Sequence, residues 1–72
     1  MKYEIFSHKV VVDEETYDTH GIVVTDQKQN TYVFDDVTTF KKELEGFVSF
    51  LNEENVSLNC FKIFLELFNE RF

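Results

Sequence analysis

The residues of this chain that could do chemistry are few: His8, His20, Cys60, and two runs of adjacent carboxylates, Asp13-Glu14-Glu15 and Asp35-Asp36. The histidines fall in two segments that read as neighbouring strands. A three-residue turn centred on Glu14 sets His8 opposite His20, where paired imidazoles could hold a transition metal or sense pH. A two-residue turn instead sends the two rings to opposite faces of the sheet. No third ligand is marked, although Glu4 and Asp18 occupy nearby strand positions, and histidines on half-exposed strands are ordinary.

Cys60 stands near the start of a helical segment, whose N-terminus would favour a thiolate. No general base is placed beside it by the sequence, so it reads as a structural thiol, buried or partly buried. The carboxylates lack the spacing of a calcium loop and sit where turns or helix caps are expected. Asp35 and Asp36 read as helix-entry residues, favoured there by the helix dipole. There is no glycine-rich phosphate loop, no Gly-x-Ser-x-Gly and no paired-cysteine motif. A core this small leaves little room for a catalytic pocket. The expectation is a protein that is not an enzyme, with no cofactor and no metal.

Seventy-two residues make one small domain. So short a chain buries only about 60% of the surface its unfolded form exposes. Nine Phe and three Tyr offset this, and with no Pro and two Gly most of the length should be ordered. A single Cys excludes an intrachain disulfide and fits a reducing, cytoplasmic setting. Residues 1–6 lack the apolar run of a signal peptide, and no stretch approaches the ~20 apolar residues that span a bilayer.

The net charge is −7. Residues 1–36 carry three Lys against eight Asp or Glu, so this half is strongly anionic. Direct binding to nucleic acid or to an anionic membrane surface is disfavoured, since both need clustered Lys and Arg. Negative charge can recruit a basic protein partner. It can equally keep a Phe-rich protein soluble and blunt its sheet edges.

Residues 2–12 are rich in β-branched and aromatic types and read as a strand. A polar break at 13–16 leads to a returning strand at 17–25. Gly21 within it implies a bulge or a close backbone approach. A second turn at 26–30, with Asn30 as its left-handed residue, leads to a short strand at 31–34. Phe40, Leu44, Phe47, Val48 and Leu51 then recur at helical spacing, with Thr38 or Asp36 as N-cap and Asn55 at the exit. Gly46 inside that helix implies close approach by a neighbour. Residues 57–72 form the final helix, capped by Ser57 or Asn59, and its apolar sector spans roughly 200°, twice what a surface helix needs. The predicted fold is α+β: a three-stranded antiparallel meander followed by two helices packed on one face.

Several short motifs resemble a family of small uncharacterised proteins from Gram-positive, clostridial-type bacteria. They are Tyr3-Glu4-Ile5, Val10 to Asp13, Tyr17, Gly21-Ile22, Asp36-Val37-Thr38, and Ser57, Lys62, Glu66 and Phe68. His20 stands where that family has Tyr, Glu14 where it has a turn glycine, and Ile63 and Leu67 where acids are expected. The resemblance implies a small bacterial protein and brings no activity, cofactor or catalytic residue with it.

The functional expectation is a small interaction module, homodimeric through an apolar face of Phe61, Ile63, Phe64, Leu67, Phe68 and Phe72. A second possibility is an acidic inhibitor that mimics nucleic acid, using Asp13, Glu14, Glu15 and Asp18 to occupy a basic groove. A third is a metal or pH sensor built on His8 and His20.

Overall fold

A computed structural model describes residues 1–71, and Phe72 lies outside the described residues. The chain runs β1 (Lys2–Val12), β2 (Glu15–Thr25), β3 (Thr31–Thr38), α1 (Lys41–Glu53) and α2 (Leu58–Arg71). The strands form one antiparallel sheet in the order β1-β2-β3. This is the expected meander followed by two helices, and both helices lie on one face of it.

Register follows from the first turn. Asp13 and Glu14 both adopt left-handed backbone, with φ of 51° and 67°. A two-residue type I′ turn needs positive φ at both positions, and its twist matches that of the strands it joins. Val12 therefore pairs with Glu15, and the ladder runs back to Lys2 opposite Thr25. Because side chains alternate, Tyr3, Ile5, Ser7, His20, Ile22 and Val24 share the helix-covered face. Phe6, His8, Val10, Tyr17 and Thr19 share the other face.

Gly21 makes the close approach its position implied. A Cβ there would strike the Phe34 carbonyl oxygen and lie 2.6 Å from the Phe6 ring. Pairing of β2 with β3 shifts at this point: Ile22 faces Phe34, but His20 faces Thr38. The intervening Asp35, Asp36 and Val37 bulge past Gly21, with Asp36 at φ 51°. The bulge lets β3 resume pairing, so the strand runs to Thr38 rather than stopping at residue 34. In the second turn the left-handed residue is Gln29, φ 70°, not Asn30. Asn30 instead donates its backbone N–H and side-chain amide to the Asp26 carboxylate.

The longer β3 moves the helix entry. Asp35 and Asp36 belong to the strand, and the N-cap position is taken by Phe40, which has no side-chain cap. Thr38 Oγ1 accepts the Phe40 N–H at 3.0 Å, just before the helix. Phe40 is exposed rather than part of the buried stripe. Asn55, φ 48°, takes the expected left-handed exit, with Val56 N–H returning to the Leu51 carbonyl. Ser57 caps α2: its Oγ accepts the Cys60 N–H and its carbonyl accepts the Phe61 N–H. Among the described residues, nothing outside its own helix backbone and chain neighbours lies within 4 Å of a Cβ built on Gly46, so they do not supply the predicted close neighbour.

The core joins Tyr3, Ile22 and Val24 of the sheet to Leu44, Val48 and Leu51 of α1, with Val56, Phe61 and Phe68. Phe61 is its hub, fully buried, with ring centroids 5.2 Å from Tyr3 and 5.0 Å from Phe34. Asn52 ties α1 to the edge of β1. Its Oδ1 accepts the Tyr3 N–H and its Nδ2 donates to the Tyr3 carbonyl, both at 2.9 Å, in the manner of a neighbouring strand. The Tyr3 hydroxyl donates to the Val56 carbonyl. Burial, with a smaller push from the nearby Cys60, raises the pKa of this phenol.

The molecule measures 41 × 26 × 16 Å. Eleven-residue strands span roughly 35 Å at about 3.3 Å per residue, and they set the long axis. Pairing with β3 ends at His20, so from Thr19 outward the hairpin is a two-stranded arm.

Candidate functional site

The two helices are level with each other through their aromatic rings. Phe47 stacks on Phe68, centroids 4.9 Å apart, and Phe50 meets Phe64 edge-on at 5.4 Å. Each helix thereby presents a matching stripe at intervals of four, three and four residues. On α1 the stripe is Glu43, Phe47, Phe50 and Glu54; on α2 it is Cys60, Phe64, Leu67 and Arg71. Glu43, Phe47 and Phe50 of the first stripe and Phe64, Leu67 and Arg71 of the second, together with Phe68, line an apolar groove of about 490 Å³. Beyond the Phe50–Phe64 pair the depression continues as a recess edged by Glu54, Ser57 and Cys60.

Beside this groove, large apolar side chains are left uncovered. Ile63 is 60% exposed, Leu67 57% and Phe50 40%. Adjoining exposed apolar side chains of this size mark an interaction surface more often than single ones do. The residues of the expected interface divide accordingly. Ile63 and Leu67 stand out into solvent and Phe64 forms one wall of the groove. Phe61 is fully buried in the core and cannot contact a partner, and Phe68, nearly buried, only lines the groove. Phe72 lies outside the described residues. The reason is angular: Phe61 and Phe68 are seven residues apart and point at the sheet, while Ile63 and Leu67 point away. The contribution of α1 was missed, although the spacing of Glu43, Phe47, Phe50 and Glu54 carries it.

Cys60 is exposed, not the buried thiol expected, because its side chain points into the recess. The histidines do not meet. The two-residue turn pairs Ser7 with His20 and His8 with Thr19, on opposite faces of the sheet. His20 is buried with Nδ1 2.6 Å from Ser7 Oγ, and His8 Nε2 lies 2.7 Å from Asp36 Oδ1. Among the described residues no three His, Cys, Asp or Glu side chains are grouped to hold a metal ion. The paired-imidazole site is thereby excluded by geometry.

The four acids at the end of the arm are all exposed. They surround the tip rather than forming one face. Asp13 and Glu14 make the turn, while Glu15 and Asp18 point to opposite sides of the ribbon. Asp18 stands across from Lys9. Among the described residues no helix is long and apolar enough to cross a membrane.

No family model, no curated protein and no solved structure matches this chain.

Proposed function

We propose that this chain is a small, non-catalytic protein-interaction module whose contact surface is the groove between α1 and α2, and that it associates with itself there. The observation that carries this reading is the open apolar groove, with Ile63 and Leu67 left more than half exposed beside it. Covering Leu67 alone removes enough apolar area to contribute about 1–2 kcal/mol. A reducing cytoplasmic compartment suits the design, since exposed Cys60 would there remain a free thiol. Light scattering on the wild type and on Leu67→Glu tests the reading. The wild type should weigh as a dimer at high micromolar concentration in low and high salt, and the variant as a monomer. A wild-type monomer at that concentration would remove the proposal.

A second reading is favoured by the arm, which projects Asp13, Glu14, Glu15 and Asp18 clear of the helices. It makes the protein an acidic inhibitor that enters a basic groove in place of nucleic acid. Binding to a cationic partner should then fall steeply with salt and be lost when the four acids are neutralised. Salt-independent binding would dismiss it.

A further inference from the structure

The partner of the groove can be specified from heights and charges along it. Phe47 lies beside Phe68, and Phe50 beside Phe64, on helices that run in opposite directions. At 1.5 Å per residue, Glu43 and Arg71 are then level at one end of the groove, and Glu54 and Cys60 at the other. From these positions we infer that the groove is closed by the same groove of a second copy, related by a two-fold axis running along the helices. The inference rests on self-association through the groove, and adds the orientation in which the two copies meet.

An axis along the helices keeps every residue at its own height and carries it from one helix to the facing one. Arg71 then meets Glu43 of the second copy at both ends of the symmetric pair. Phe47 meets Leu67 of the second copy, and Phe50 meets its Phe64, so the apolar centre is filled by six rings and two leucines. Glu54 comes to lie over the N-terminal turn of the second copy's α2, where the helix dipole favours a carboxylate. Each helix is antiparallel to both of its neighbours, the arrangement of an up-and-down four-helix bundle.

The competing two-fold axis lies across the helices and fails on charge. It places Glu43 against Glu54 of the second copy. It also sets Arg71 over the positive N-terminal turn of the facing α2. Only the lengthwise axis makes each charged end of the groove complementary to what faces it. In this arrangement the sheets lie on the outside of the bundle, which keeps apart two chains that each carry −7. A face two helices wide and about 20 Å long is at the small end of stable interfaces, so a dissociation constant on the order of micromolar is expected.

Sedimentation equilibrium on the full chain, with Glu43→Lys and Glu43→Lys/Arg71→Glu as variants, tests the axis through the sign of the effect. Both side chains are exposed, so the variants should fold, which circular dichroism verifies. With the lengthwise axis, Glu43→Lys should weaken the dimer on the order of tenfold, and the double reversal should restore most of that. A tighter dimer from Glu43→Lys would overturn the inference in favour of the crosswise axis. Unchanged dimers in both variants would place these ends outside the contact and overturn it too. Those two outcomes leave the groove reading intact if Leu67→Glu still yields a monomer. A wild-type chain that is monomeric at several hundred micromolar would overturn both.

Discussion

Tyr3 and Val11 lie on the same strand, on the same face, and have opposite fates. Tyr3 is 2% exposed under the helices, whereas Val11 on the arm is 67% exposed. The strand pattern does not distinguish them; the reach of the helical layer does. Near the open ends of β1 and β2, ring contacts from Phe61 and the Asn52 amide cover the sheet and its edge. Toward the turn the ribbon has neither a third strand nor a helix. A two-stranded ribbon gains little from burial, so the arm should open at low free energy while the covered half sets global stability.

The sharpest way to break that contrast is substitution on either side of it. Phe61→Ala should cost about 3–5 kcal/mol, most of the stability of so small a domain, as read from the urea midpoint. Val11→Thr on the arm should change it by less than about 0.5 kcal/mol. Comparable losses from both would show that the arm is part of the core.

The two glycines give opposite signs. Gly21→Ala should destabilise by about 2 kcal/mol, because its Cβ meets a backbone carbonyl and the Phe6 ring. Gly46→Ala should stabilise by about 1 kcal/mol, since helix propensity improves into open space. Thermal melts of the pair check both signs together.

Within the arm, Glu14→Gly relieves a left-handed backbone at φ 67°. It should stabilise by about 1 kcal/mol, reduced if the tip already frays before global unfolding. Hydrogen exchange of the Val12 and Glu15 amides would separate the two contributions.

The smallest effect concerns acid. The Asn30 backbone N–H, before its side-chain amide and the Lys28 N–H, holds the Asp26 carboxyl below its ordinary value. The folded state therefore favours the ionised form. The contribution is present above the unfolded carboxylate range and is lost as pH falls through the lower folded value. Asp26→Asn should flatten that part of the acid stability curve.

Much of this architecture was legible in the sequence. The strand and helix order rests on hydrophobic periodicity, and the Gly21 close approach, the Asn55 exit and the Ser57 cap each rest on a local backbone requirement. What escaped depended on three-dimensional count. The hairpin register hung on whether Asp13 and Glu14 alone would both turn left-handed without a glycine. The reach of β3 hung on a bulge that hides two extra residues opposite Gly21, which pushed Asp35 and Asp36 out of the helix entry. The groove was half legible. A wide apolar sector on the last helix marked a surface, but which of its residues face inward depends on the sheet. The matching stripe on α1 becomes meaningful only once the helices are seen to be level.

The most direct measurement is isotope-filtered nuclear Overhauser spectroscopy on a mixture of labelled and unlabelled chains, which reports only contacts between copies. Intermolecular contacts are expected from the Leu67 methyls to the Phe47 ring, and none from Val11 or Tyr17 on the arm. Contacts confined to the arm or the β1 edge, or no intermolecular contacts in a sample that sediments as a dimer, would contradict that expectation.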